Sequence, residues 1–214
     1  MARFFKTGKG EYSEGDVFIG CTVPEQRLVA RQFRELALAE TDKLLTSKIH
    51  EERLTALLIL VDRFTTATDD AIRDRIYRLY LKRLPYINNW DLVDASAEYI
   101  VGGWLADKDK SILDRFTRSR HLWTRRVAML ATFHYIKAGK ADDALRIAAA
   151  LLDDRHDLIH KAVGWMLREV GKRVSPAKLR AFLKAHVTAM PRTALRYAIE
   201  RFPPAERAKW LAIR

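Results

Sequence analysis

The sequence predicts an all-α fold, and three observations predict it. Apolar residues recur at helical spacing from Pro24 onward. No run of alternating apolar and polar residues is long enough for a strand. Helix openings of similar pattern return at near-regular intervals: Arg126-Val127-Ala128-Met129 and Lys161-Ala162-Val163-Gly164 start 35 residues apart, and Arg53-Leu54-Thr55-Ala56 lies 73 residues before the first of these. A period near 35 residues is that of paired, stacked helices, so the expected architecture is a HEAT-like α-solenoid with a concave basic face. The units share little identity, which leaves a non-repeating helical bundle open.

Each element follows from its own signals. Pro24 suits a first helical turn, and Leu28, Phe33, Leu36 and Leu38 follow it. Further helices are predicted over 50–65, 70–84, 90–105, 123–138, 142–153, 158–172, 176–187 and 192–201, with turns at Gly139-Lys140, Gly171, Ser175-Pro176 and Pro203-Pro204. With 214 residues the chain is expected to be one domain, 1–214. Residues 1–22, with Gly8, Gly10 and Gly15 among charges, read as an ordered loop or an N-terminal arm.

Charge narrows the class of partner. Lys and Arg number 39 against 27 Asp and Glu, a net charge of +12 and a pI near 9.9. Such an excess attracts nucleic-acid phosphates or anionic lipid, and an acidic protein is a further reading. The N-terminus has no apolar signal core, and no stretch approaches a membrane span, so a cytoplasmic, nucleoid-associated protein without membrane contact is expected. Cys21 is the only cysteine, which excludes an intrachain disulfide and a cysteine metal cluster. His156 and His160 stand four apart without an HExxH pattern, and neither a phosphate-binding glycine loop nor a nucleophile elbow is present. No metal or cofactor is therefore expected, and a monomer is.

Three groups of residues stand out. On a wheel of about 100° per residue, the helix at 158–172 groups Trp165 with Lys161, Arg168 and Lys172, while Ala162, Val163, Met166, Leu167 and Val170 form its apolar face. An indole among cations suits contact with a sugar or base beside phosphates. Packing against a neighbouring helix under Lys and Arg stems is the competing reading. In Asn88-Asn89-Trp90-Asp91-Leu92-Val93-Asp94, an asparagine caps the helix and Asp91 complements its positive end. Asp94 lies one turn from Trp90, followed on that face by Ala97 and Val101, so its carboxylate is expected beside an indole among apolar groups. Such a carboxylate is either a functional group or a buried, paired one. Trp123 and Arg126 share a third helix face, with Arg115, Arg118, Arg120 and Arg125 nearby as phosphate contacts.

Taken together, Asn89-Trp90-Asp91-Leu92-Val93-Asp94, Leu122-Trp123-Thr124-Arg125-Arg126 and Ile159-His160-Lys161-Ala162-Val163-Gly164-Trp165-Met166-Leu167-Arg168-Glu169 resemble the AlkD family of DNA alkylation-repair glycosylases. The resemblance implies a HEAT-like fold and a monofunctional hydrolase that removes cationic N3- and N7-alkylpurines from duplex DNA without extruding the base. It implies Asp94 as the catalytic carboxylate and Trp90 and Trp165 as indoles against the deoxyribose. Arg126 is implied at the DNA backbone with Lys161 and Arg168 as helpers, and Trp123, Arg125 and Lys172 belong to the same expected DNA-binding set. Phe4 stands where the family often has tyrosine, keeping the aromatic surface and losing the hydroxyl. A non-catalytic protein of the same fold that binds branched or damaged DNA is the alternative.

Overall fold

The computed structural model describes residues 5–213, and every regular element among them is helical. The helices are α1 (Val23–Gln32), α2 (Leu38–Leu45), α3 (His50–Thr66), α4 (Asp70–Lys82), α5 (Trp90–Asp94), α6 (Ser111–Thr117), α7 (Leu122–Ala131), α8 (Phe133–Lys137), α9 (Asp142–Ala150), α10 (Asp157–Arg173), α11 (Pro176–His186), α12 (Arg192–Ala198) and α13 (Pro204–Ala212). They form two compact units, Met1–Trp104 and Leu105–Arg214.

In the first unit α3 is the central helix. Its Leu54, Leu57, Ile59 and Leu60 are buried, and α1, α2, α4 and α5 pack around it. In the second unit α10 has that place, with Ala162, Val163, Met166, Leu167 and Val170 buried against α7, α8, α9, α11 and α12. The apolar face predicted for 158–172 is thus the buried face of α10.

Several boundaries differ from the sequence expectation, each for a local reason. The segment 90–105 is not one regular helix: α5 gives way to a π-helical stretch at Glu98–Gly102, which rotates the residues beyond it out of the α register. The segment 123–138 divides at Thr132, whose hydroxyl donates to the Met129 carbonyl at 2.6 Å. Gly171 is helical rather than a turn, because its missing side chain lets Leu179 of α11 approach; a Cβ there would sit 2.6 Å from Leu179 Cδ2. Pro204, read as part of a turn, opens α13, since proline costs nothing at a first helical position where no amide is needed. Helices α2 and α6, of eight and seven residues, are too short to have shown a periodic stripe. Ser175-Pro176 behaves as read, the serine hydroxyl accepting from the Lys178 amide.

Gly164 explains a glycine within an otherwise strong helix. A Cβ at this position would lie 2.5 Å from the Ala194 carbonyl oxygen and 2.5 Å from Tyr197 Cβ, so α12 packs backbone to backbone on α10. Gly164→Ala is therefore expected to destabilise the chain by about 1–3 kcal/mol, despite alanine's better helix propensity. Urea unfolding measures this, and a variant as stable as the parent would mean that α12 yields without cost.

Candidate functional site

The segment that carries Trp90 and Asp94 is positioned from its N-terminal end. Asn89, fully buried, caps α5 by accepting from the Trp90 amide at 2.8 Å, and its own amide donates to Ser13 Oγ at 2.5 Å and to Asp16 at 3.3 Å. Asp16 in turn accepts from Arg53 Nη2 at 2.6 Å. His50, on α3, donates from Nδ1 to Asp16 (3.3 Å) and from Nε2 to Asp91 (2.8 Å). Asp91 thus does more than face the helix dipole; it ties α5 to α3. Above this network Phe5 stacks on Phe18 at 4.9 Å and on Trp90 at 5.4 Å between centroids. The described part of the N-terminal segment, from Phe5, is therefore a docked loop.

Trp90 and Asp94 are the first and last residues of this short helix; Trp90 stacks on Phe5 and is not among the residues that line the Asp94 pocket. The surroundings of Asp94 are mixed: it lines a pocket of about 320 Å³ with the apolar Ala30, Leu58, Val61 and Ala95 and with Arg27 and Arg31 of α1, Asp62 and Thr65 of α3, and Tyr99 of the π-helical stretch, while Ala97 and Val101 are fully buried. Arg27 and Arg31 were missed by sequence reasoning. Their i, i+4 spacing was visible, but nothing local says which side chain α1 faces.

In the second unit Trp165 is half-buried, its ring 5.9 Å from Phe133. Phe133 also carries Lys137 Nζ at 4.6 Å and the Arg173 guanidinium at 5.4 Å, so the aromatic neighbour of Trp165 itself lies beside two cations. Lys161 pairs with Asp157 at 2.8 Å, Arg168 pairs with Glu200, and Lys172 is exposed near the C-terminal end of α10.

Three expected DNA contacts are corrected, and one falls elsewhere. Trp123 is a core residue, 4% exposed. Arg126 is 5% exposed and donates to the Leu158 carbonyl at 2.6 Å, a tie from α7 to α10 rather than a surface cation. Arg125 is bound to Asp154 (2.5 Å) and to the Ser119 and Arg120 carbonyls (2.9 and 3.2 Å). Phe4 lies outside the described residues. The contacts of Arg125 match those of Arg53, which donates to the Ser47 and Lys48 carbonyls and to Asp16. The structural repeat therefore aligns Arg53 with Arg125, one residue away from the register read in the sequence. Arg125 and Asp154 line a pocket of about 480 Å³ that also presents exposed Arg118 and Arg155.

Comparison with known proteins supplies a family. A family model described as DNA alkylation repair enzyme matches residues 1–202. A solved structure, "Predicted DNA alkylation repair enzyme from Enterococcus faecalis", superposes with a TM-score of 0.71 at 18% identity, covering 90% of this chain and 92% of that one, which is a likeness of fold. No curated protein matches the sequence.

The buried network carries a pH signature. Burial opposes charge on His50, yet hydrogen bonds to Asp16 and Asp91 and the Asp91 charge raise its pKa above the ordinary 6.5. Burial likewise opposes ionisation of Asp16, but the hydrogen bond to His50 and the Arg53 charge lower its pKa below 3.8. The His50 contribution is complete below 6.5 and is lost as pH rises through its raised value; that of Asp16 is complete above 3.8 and is lost as pH falls through its lowered value. His121 and His156, both lowered chiefly by burial, act below 6.5 instead, costing stability as pH falls. Stability measured by urea unfolding is therefore expected to decline as pH rises above 6.5, and His50→Gln to flatten that decline. An unchanged decline in the variant would place the titrating group elsewhere.

Proposed function

The chain belongs to the DNA alkylation repair enzyme family, and on that premise we propose that it is a monofunctional DNA glycosylase releasing cationic N3- and N7-alkylpurines from duplex DNA. The observation that carries this reading is Asp94: a carboxylate one helical turn from an indole, on the wall of a pocket flanked by two arginines. An alkylated purine is positively charged and leaves readily. What remains is to stabilise the cation that develops on the sugar as the glycosidic bond breaks. A fixed carboxylate does this electrostatically and orients the attacking water.

The remaining roles follow from charge and exposure. Trp90 and Trp165 offer indole surface to the sugar and to cationic character, about 1 kcal/mol or more each where water is excluded. Phosphate contacts fall to exposed cations, Arg27 and Arg31 in the first unit and Lys172, Arg118 and Arg155 in the second, with half-exposed Lys161, paired to Asp157, and Arg168, held by Glu200, as helpers. Arg125 and Arg126 act as framework for that surface. Duplex DNA is the partner. No helix among the described residues is long and apolar enough to cross a membrane. The reaction uses water and no amine nucleophile, so its product is an abasic site with an intact strand. Stabilisation by a carboxylate and indoles at the sugar does not call for extrusion of the base.

The test is incubation with duplex DNA containing N7-methylguanine, followed by chromatography of released base. Release is expected, and Asp94→Asn should lower its rate by roughly a hundredfold or more while leaving DNA affinity near that of the parent. Equal loss of release and affinity would make Asp94 structural. Normal binding by the parent without release would leave a non-catalytic protein that binds damaged or branched DNA. Separately, Arg27→Ala and Arg31→Ala should each lessen the slope of log affinity against log salt by about one; an unchanged slope removes that arginine from the phosphate contacts.

A further inference from the structure

We propose that His50 is a positioning residue for the Asp94 site: its imidazolium ties α5 to α3 and to the N-terminal loop, and loss of one ring proton lets α5 shift and slows base release. This rests on the reading of Asp94 as the catalytic carboxylate. The His50 side chain is 2% exposed, and each ring nitrogen meets a carboxylate, Nδ1 at 3.3 Å from Asp16 and Nε2 at 2.8 Å from Asp91. A neutral imidazole has one N–H and one lone pair, so it satisfies one of these carboxylates and turns a lone pair on the other. Only the doubly protonated ring donates to both.

The charged groups around the ring come from three parts of the chain. Asp16, from the loop before α1, also accepts from Arg53 at 2.6 Å and from the Asn89 amide at 3.3 Å. Asp91, from α5, accepts from the Leu92 amide through Oδ1 at 2.9 Å and from His50 through Oδ2. Arg53, one turn along α3, opposes the imidazolium, but its guanidinium is committed to Asp16 and to the Ser47 and Lys48 carbonyls. Phe18 and Phe5 lie against the ring at 4.7 and 5.0 Å between centroids. Burial alone would lower the His50 pKa; the hydrogen bonds to Asp16 and Asp91 outweigh it and hold the value above 6.5.

The tie acts where α5 begins. Asn89, which caps α5, donates to Asp16, and Asp91 is the second residue of the helix whose last is Asp94. With a neutral ring, either the contact of α3 with α5 or that of α3 with the loop sets a lone pair against a carboxylate, and both contacts hold the same helix start. A displacement of about 1 Å at a reacting group costs up to roughly a hundredfold in rate. Base release should therefore be at its full rate below 6.5 and fall as pH rises through the raised His50 value. The phosphate contacts, carried chiefly by arginines that keep their charge, should hold the duplex throughout.

The full chain, in excess over duplex DNA containing N7-methylguanine, is assayed for release from about pH 6 to about pH 10. Release from the same DNA without protein is subtracted, and circular dichroism checks that the chain stays folded. NMR follows the His50 ring and the Trp90 indole N–H over the same range. The ring is expected to carry two protons at the acid end. Its titration, a shift of the Trp90 signal and a fall in release of about tenfold should share one midpoint, while DNA affinity changes by less than about twofold. Asp91→Asn offers a donor to the unprotonated Nε2, so a neutral ring makes both contacts and release should stay near the parent's acid-end rate at every pH. His50→Gln should be about tenfold slower throughout with affinity kept; where that variant fails to fold, Asp91→Asn still decides. A single ring proton at the acid end, a ring that keeps two protons to the alkaline end, a fall retained in Asp91→Asn, or a fall that follows affinity overturns the role of His50. Should the parent release no base, the glycosylase reading fails by itself, and the tie to α5 is decided by whether the His50 and Trp90 signals titrate together.

Discussion

The interaction on which the first unit depends is the buried contact of Asp16 with Arg53 and His50, extended through His50 to Asp91. Asp16 and Arg53 are each 4% exposed at the side chain. Charges so placed are tolerable only as a satisfied set, and removal of one partner from such a set costs about 3–5 kcal/mol. The network joins three parts of the chain that are distant in sequence: the N-terminal loop, the start of α3 and the cap of α5. It thereby sets the direction in which α5 leaves its cap, and α5 is the helix that displays Trp90 and Asp94. The stacking of Phe5 on Phe18 and Trp90 closes over the same region, so an aromatic cover and an ionic floor act on one short helix.

The second unit solves a similar problem with a similar device. Arg125 reaches the carbonyls five and six residues before it and a carboxylate across the fold, as Arg53 does. Each guanidinium holds the turn that enters its own helix, α3 for Arg53 and α7 for Arg125. Arginine suits this because its fixed fork of donors meets carbonyls and carboxylate at once. Arg125 and Arg126, in one of the blocks that carry the family resemblance, are thus held by partners within the fold. Arg27, Arg31, Arg118 and Arg155 are exposed cations on the walls of the two pockets.

Much of the fold was legible in the sequence. The buried face of α10, the Ser175 cap and the α5 cap all followed from side-chain period and capping chemistry, because both depend on residues within a few positions of one another. The exceptions share one cause. Trp123 and Arg126 stand on a helix face that looks like their neighbours' in the sequence, and only the packing of α7 against α10 shows that this face is inward. The π-helical stretch after α5 is likewise invisible locally, yet it brings Tyr99 to the pocket of Asp94 while Val101 is fully buried.

By itself the sequence determined the all-helical class, the positive charge, the placement of Trp90 and Asp94 on one helix and that of Trp165 off an apolar stripe. These are properties of composition and of i, i+4 geometry, which hold in any tertiary context. The tertiary structure decided which cations are held and which are exposed, and that Asp94 shares a pocket with Arg27 and Arg31. Those outcomes depend on which helix faces pack together, and contacts between residues tens of positions apart leave no period along the chain.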